Sequence, residues 1–181
     1  MYKRQAHQRR ALAIKEATHG KDHPEVAITL TNLGSVLEKQ GDYDAAAAHH
    51  RRALAIDEAR HGKDHPYVAT CLSHLGIVLE AQGDYDGAAL RFERALAICE
   101  ARHGPDHLHS AIVRSNLGRV LGEQGDYATA LVHLRQALAS AEPVHGKDHP
   151  MVVEMQSGLR RVLGAQATAA TSVSTVVHDA A

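Results

Sequence analysis

Apolar residues recur at helical spacing along most of the chain, in segments that are separated by glycine. Between residues 24 and 40, for example, Val26, Leu30, Leu33 and Leu37 fall on one helical face. The same pattern predicts eight helices, over about residues 2–18, 24–40, 43–60, 66–82, 85–102, 108–124, 127–144 and 150–166. Because the links between them are only a few residues long, we expect consecutive helices to pack antiparallel.

Glycine and aspartate mark the predicted helix ends. Gly20 and Gly41 are expected to stop the helices that precede them, since glycine tolerates the left-handed backbone of a helix C-terminus. Asp42 is predicted to be the N-cap of the helix that follows it. Asp22 is predicted to cap the helix near residue 24, with Glu25 completing a capping box.

The chain repeats one unit of 42 residues. Gly-Asp-Tyr begins at positions 41, 83 and 125, and His-Gly begins at positions 19, 61, 103 and 145. A fixed period of this kind indicates stacked repeats that share a continuous core. It divides the chain into a half repeat (1–23), full repeats (24–65, 66–107 and 108–149), a half repeat (150–166) and a flexible tail (167–181). A minor strand in this valine-rich tail is the alternative.

Composition narrows the class of fold. Hydrophobic residues make up 44% of the chain, but aromatic residues only 3%, which favours closely packed helices over a β-sandwich or barrel.

A net charge of −1 argues against a nucleic-acid partner, and no apolar run predicts a membrane span or signal peptide. The two cysteines, Cys71 and Cys99, are interpreted as buried apolar residues, and a cytoplasmic location is expected.

Each helix pair has Leu-Gly on its first helix, and a tyrosine and two alanines seven residues apart on its second. In the first full unit these residues are Leu33, Gly34, Tyr43, Ala46 and Ala53, and the same residue types recur in the next two units. The pattern resembles the tetratricopeptide repeat. The glycine is expected to face alanine on the partner helix, so that the two backbones approach closely. The 42-residue unit, with loops such as HGKDHP, is similar to the kinesin light chain subfamily.

The resemblance implies an all-α, right-handed superhelical solenoid of antiparallel helix pairs whose first helices line a concave, peptide-binding side. An asparagine there would hold the backbone of an extended peptide, because its amide both donates and accepts hydrogen bonds. Asn32 and Asn116 are therefore candidate clamps; a solvated polar face is the alternative. The candidate peptide-binding residues are Thr31, Asn32, Ser35, Ser73, His74, Ile77, Ser115, Asn116, Arg119 and Arg161.

Charge is uneven along this predicted concave side. Glu38 and Glu80 lie in its first two thirds, whereas the last third contains four arginines: Arg114, Arg119, Arg160 and Arg161. Because arginine can donate two hydrogen bonds to one carboxylate, this end is predicted to prefer an acidic peptide segment or a chain terminus. Scattered surface charge, neutralised by neighbours, is the alternative interpretation.

Two arginines occupy positions that the repeat reserves for small residues. Arg4 lies one period before Ala46, and Arg160 lies one period after Gly118. Inside a repeat such overpacking would cost about 1–3 kcal/mol. Both arginines are therefore predicted to face water at the ends of the stack. The alternative is that the sequence is a fragment of a longer repeat protein.

Eight of the fifteen histidines lie in the loops between repeats: His19, His23, His61, His65, His103, His107, His145 and His149. They are interpreted as capping or packing groups, because a glycine separates the members of each pair and keeps them off one helical turn. No catalytic triad, phosphate-binding loop or dinucleotide motif is present. No metal or cofactor is predicted.

These patterns predict a non-enzymatic scaffold that binds a protein or an extended peptide. Two alternatives stay open. One is a regulatory or sensor arm of a larger signalling protein, and the other is a solenoid that self-associates through its ends.

Overall fold

A computed structural model describes residues 2–178, with side chains described for residues 5–171. Within this range the chain is helical, without strands. Its helices are α1 (Tyr2–His19), α2 (Pro24–Glu38), α3 (Tyr43–His61), α4 (Pro66–Ala81), α5 (Tyr85–His103), α6 (Leu108–Glu123), α7 (Tyr127–His145) and α8 (Pro150–His178). The predicted all-α class and the predicted order of eight helices are confirmed for these residues.

The last helix is longer than the sequence pattern predicts. It continues to His178 instead of ending near residue 166, and the alternative of a strand in this segment is wrong for residues 167–178. After Gly164 no glycine or proline interrupts the helix, and the hydroxyl group of Thr168 donates back to the carbonyl oxygen of Gly164 at 2.9 Å. Residues 179–181 of the predicted tail lie outside the described residues.

The described helices form two compact units, unit 1 up to Arg102 and unit 2 from His103 onward. Each unit has its own apolar core, built mainly from aliphatic side chains at the positions that the repeat predicts. The core of unit 1 includes Val26, Leu30, Ala53, Ile56, Leu75 and Val78. The core of unit 2 includes Ala111, Ala137, Leu138, Val152, Met155 and Val162. Arg160 is exposed, as predicted, whereas the side chain of Arg4 lies outside the described side chains.

The turns within the helix pairs follow the predicted chemistry. Gly41 has a φ of 79°, the left-handed conformation that ends α2. Asp42 then begins α3, and its Oδ1 accepts a hydrogen bond from the backbone N–H of Ala45 at 3.3 Å. Asp84 and Asp126 accept equivalent hydrogen bonds one and two periods later. The predicted aspartate cap at Asp42 is therefore confirmed, and it recurs in the next two repeats.

The capping box predicted at Asp22 is wrong, because the N-cap of α2 is His23. Nδ1 of His23 accepts a hydrogen bond from the backbone N–H of Glu25 at 3.2 Å. The carboxylate of Glu25 instead pairs with Lys15 at 3.3 Å. The same imidazole cap recurs at the other three loops, through His65, His107 and His149. The interpretation of the loop histidines as capping groups is confirmed for these four.

The imidazole cap leads to a test at α4. We expect His65→Ala to lower the free energy of unfolding by about 0.5–2 kcal/mol, because the backbone N–H of Tyr67 loses its acceptor. His65→Asn should recover most of the loss, since asparagine is a strong N-cap. Urea unfolding followed by circular dichroism measures both variants. If asparagine is as destabilising as alanine, the role of His65 is not capping.

The predicted contact between glycine and alanine is confirmed at Gly118, where an added Cβ would lie 2.9 Å from the backbone oxygen of Ala130. The atoms nearest to Gly34 and Gly76, in contrast, belong to the ring of a larger side chain. An added Cβ at Gly34 would overlap the His50 ring, and one at Gly76 would lie 2.7 Å from the ring of Phe92. At Gly118 the corresponding neighbour is Leu134, with Cγ at 2.8 Å. Each glycine thus makes room for one large, fully buried side chain of the next helix.

Candidate functional site

In unit 1, three of the predicted site residues on α2 and α4 have hydroxyl groups that already donate a hydrogen bond to a backbone carbonyl oxygen of their own helix. Thr31 donates to the carbonyl oxygen of Ala27 at 3.1 Å, Ser35 donates to that of Thr31 at 3.1 Å, and Ser73 donates to that of Ala69 at 2.9 Å. Only the oxygen lone pairs of these groups remain for a ligand, and Oγ1 of Thr31 also contacts Sγ of Cys71 at 3.7 Å. These residues can therefore line a binding surface as acceptors, but they do not offer hydrogen-bond donors to it.

Asn32 is exposed on α2, as a peptide clamp would have to be. It borders a small cavity of about 170 Å³ together with Gln8, Ser35, Val36 and Lys39. The cavity lies between α1 and α2 and is mainly polar in its lining. Unit 1 thus places two of the predicted residues, Asn32 and Ser35, around one opening.

In unit 2, a cavity of about 210 Å³ lies between α6 and α8. Four of the predicted site residues border it: Ser115, Asn116, Arg119 and Arg161. Ile112, Met151 and Met155 add apolar surface, and Glu154 adds a carboxylate. The structure therefore brings the C-terminal members of the predicted set together around one concave surface.

Two polar side chains around the cavity in unit 2, those of Asn116 and Arg161, already interact with other side chains. Nη2 of Arg119 donates to Oδ1 of Asn116 at 3.2 Å, so the acceptor side of this amide is engaged. Its Nδ2 amino group is left as the part that can donate to a ligand carbonyl. Nη2 of Arg161 lies 3.0 Å from Oε1 of Glu123, which neutralises part of the arginine's charge.

Arg114 does not belong to the predicted arginine surface. Its side chain is buried, and Nη1 donates to the carbonyl oxygen of Pro105 at 3.0 Å. The guanidinium group therefore holds the loop that precedes α6. The predicted concentration of positive charge is therefore reduced. Among the residues that border the cavity, Arg119 and Arg161 provide the positive charge.

His74 and Ile77, the predicted site residues in the second half of α4, are partly buried. Nδ1 of His74 lies 3.2 Å from Oε1 of Glu38, and its ring stacks on that of His50 with centroids 4.8 Å apart. Sequence reasoning missed this cluster of Glu38, His50 and His74. The available signal was a histidine at position 50, where the next repeats have Phe92 and Leu134.

The Glu38 cluster is strongly polar for a place so close to the core. His50 is completely buried, and its Nε2 lies 2.7 Å from Oε1 of Glu38. Burial raises the pKa of Glu38, but hydrogen bonds from His50 and His74 outweigh it and lower this pKa to about 2. The carboxyl group is therefore ionised at neutral pH and accepts hydrogen bonds from both rings.

The cysteines are buried, as predicted. Burial raises the pKa of the Cys71 thiol to about 12, and Sγ of Cys71 donates to Oδ2 of Asp57 at 3.5 Å. Burial also raises the pKa of Cys99. Both groups remain protonated thiols at neutral pH, which opposes a role as nucleophiles.

Within residues 2–178, no helix combines the length and the apolar character that crossing a lipid bilayer requires.

Helix pairs with a 42-residue period, each with a glycine beneath a large buried side chain, define a tandem helical-repeat protein. The sequence profile described as "Tetratricopeptide repeat" matches residues 5–59, 31–101, 91–142 and 110–167. The chain therefore belongs to the tetratricopeptide repeat family, and the predicted fold class is confirmed. This fold is generally a protein-interaction scaffold, and its members are typically non-enzymatic.

Solved structures of kinesin light chain-like repeat proteins are similar to this chain. BtubC (BKLC) from P. vanneervenii has a TM-score of 0.76 at 22% identity, over 96% of this chain and 71% of that one. A Podosopora anserina protein with nearly identical TPR-like repeats of the kinesin light chain type has a TM-score of 0.73 at 20% identity, over 89% and 76%. At this identity the likeness concerns the fold alone. No curated protein matches the chain.

Proposed function

We propose that this protein is a non-enzymatic scaffold that binds an extended peptide, or an extended segment of a partner protein. The observation that carries the proposal is the cavity between α6 and α8, which combines an apolar surface with predicted polar site residues. Ile112, Met151 and Met155 can accept an apolar side chain, while Asn116 and Arg119 can bind the peptide backbone or a carboxylate. The exposed Asn32 of α2 serves the same purpose in unit 1.

An acidic peptide is the partner that the cavity in unit 2 favours. Arg119 and Arg161 border it together with one carboxylate, that of Glu154. A ligand carboxylate that approaches Arg161 would compete with Glu123 for the guanidinium group, since the two lie only 3.0 Å apart at a partly exposed position. The preference is therefore expected to be moderate and to weaken as salt is added. We place this binding in the cytoplasm, where free thiols such as those of Cys71 and Cys99 persist.

The proposal predicts that Asn32 and Asn116 contribute to peptide binding. A peptide array identifies ligands of the wild-type protein, and fluorescence anisotropy then measures their affinity. Each asparagine-to-alanine change should weaken binding about threefold to tenfold, because one net hydrogen bond to the peptide backbone is lost. Arg91→Ala, at an exposed position of α5, is the control and should leave affinity unchanged. If the asparagine variants bind like wild type, these helices do not carry the ligand.

The preference for acidic peptides is tested in the same assay with charge reversal. For a glutamate-rich peptide, the double variant Arg119→Glu, Arg161→Glu is expected to lose about tenfold or more in affinity, because it replaces attraction by repulsion. A neutral peptide should be affected much less. Equal affinity of wild type and double variant for the glutamate-rich peptide would refute the acidic preference, while the asparagine variants still decide on the scaffold itself.

A further inference from the structure

Three side chains that commonly bind metal ions meet within unit 1. Glu38 ends α2, His50 lies on α3 and His74 lies on α4. Oε1 of Glu38 is 2.7 Å from Nε2 of His50 and 3.2 Å from Nδ1 of His74, and the three ligand atoms all lie within 4.8 Å of one another. Three consecutive helices thus each bring one potential ligand atom into the same cluster.

The repeat shows that this combination is a local departure from the pattern. Position 50 corresponds to Phe92 and Leu134, and position 74 corresponds to Asn32 and Asn116. Burying an imidazole where the neighbouring repeats bury hydrocarbon is unfavourable unless its nitrogens are satisfied. The departures at positions 50 and 74 occur together, and both rings contact the same carboxylate oxygen. Because both departures fall in the same cluster, we infer that the three side chains act together.

We propose that Glu38, His50 and His74 bind a divalent transition-metal ion, with zinc the best match, through Oε1, Nε2 and Nδ1. Two histidines and one carboxylate form a ligand set that zinc accepts, with bonds of about 2.0–2.2 Å. Tetrahedral geometry with such bonds places ligand atoms about 3.3 Å apart. The separations of Oε1 from Nε2 and from Nδ1, 2.7 and 3.2 Å, are close to this value. Because the two rings are stacked with their planes 8° apart, the partly exposed His74 ring must turn before both nitrogens can point at one ion. Water, or an oxygen atom of a ligand, would occupy the fourth position.

One potential ligand of the cluster is held rigidly in the core, whereas the other two can be reached from solvent. The His50 ring is wedged against Gly34 with no solvent exposure, so its position is fixed by the core. Glu38 and His74 keep 14% and 28% of their side-chain surface exposed, which gives an ion a route from solvent. Binding would also replace the negative charge of Glu38 by a net positive charge at this surface of α2 and α4.

The surroundings of His50 limit the expected affinity. When Nε2 binds a metal, the ring proton resides on Nδ1, and Nδ1 has no hydrogen-bond partner among the described residues. Metal-bound histidines usually donate this proton to a second group, and losing that partner typically costs about 10–100-fold in affinity. We therefore expect reversible binding, weaker than that of a structural zinc site.

Calorimetric titration of the full chain with zinc chloride, after treatment with a chelator, tests the proposal. Wild type should bind one ion at a site distinct from any weak binding by the other histidines. His74→Asn restores the residue found at positions 32 and 116, and it should weaken this site at least tenfold. His65→Asn removes a loop histidine while keeping an N-cap, and it should not change the site. Circular dichroism confirms that each variant is folded.

Imidazole nitrogen shifts in NMR spectra identify the ligand atoms independently of affinity. Zinc should shift Nε2 of His50 and Nδ1 of His74 in wild type and leave the loop pair His61 and His65 unaffected at one equivalent. Absence of a one-to-one site in wild type, or equal zinc affinity of wild type and His74→Asn, would overturn the proposal. The cluster would then be a hydrogen-bonded group only. The peptide-binding proposal is unaffected by either result.

Discussion

Replacing Phe92 with alanine is expected to lower the free energy of unfolding of unit 1 by about 3–5 kcal/mol. Phe92 is the only phenylalanine of the chain, and its side chain has no solvent exposure. Its ring fills the space over Gly76, which has no side chain with which α4 could close a cavity. Because α4 has no side chain at this position to fill the gap, the loss should approach the upper end of the range.

Urea unfolding followed by circular dichroism measures this effect. Leu90→Ala is a matched control on the same helix, because Leu90 is 60% exposed. We expect it to change the free energy of unfolding by less than about 0.5 kcal/mol. If the two substitutions destabilise the protein equally, Phe92 is not the main packing residue between α4 and α5.

Most of the fold could be predicted because each local signal for the start or end of a helix occurs in several copies of the repeat. Glycine at positions such as Gly41 and aspartate at positions such as Asp42 act within a few residues, so their effect does not depend on distant contacts. The end of α8 lacked such a signal, since no glycine or proline follows Gly164. Without a stop residue, side-chain composition alone could not show that this helix continues to His178.

The error at Asp22 has a similar local origin. Aspartate is a common N-cap, and statistical preference favoured it over histidine. Pro24 at the first helical position, however, places the N-cap at the residue immediately before it, which is His23. The position of proline was therefore the better guide, and it would have indicated an imidazole cap at the loops before α2, α4 and α8.

The candidate site was predictable only as a set of positions. The repeat assigned Asn116 and Arg119 to one helix, but their mutual hydrogen bond and the cavity between α6 and α8 depend on side-chain conformations. The cluster of Glu38, His50 and His74 was even harder to predict from the sequence. Its members are far apart in sequence, and only the packing of three helices brings their polar atoms together.

The large side chains that pack over these glycines show how packing volume decides a helix interface. Two small residues in register would allow close approach, but they would also leave an unfilled space wherever the helices diverge. The structure instead sets glycine against a large side chain: His50, Phe92 or Leu134. Volume is thus complementary across the interface, as close packing of a protein interior requires.

This complementarity predicts that the effect of Gly76→Ala changes sign with the residue at position 92. In wild type the added Cβ would lie 2.7 Å from two atoms of the Phe92 ring, and overpacking should cost about 1–3 kcal/mol. In the Phe92→Ala background the same methyl group enters empty space. There the higher helix propensity of alanine should stabilise the protein by about 1 kcal/mol. A double-mutant cycle measured by urea unfolding gives the coupling energy, which we expect to be about 2 kcal/mol or more. Additive effects would mean that the ring can move aside, and that the contact with Gly76 does not limit how closely α4 and α5 approach.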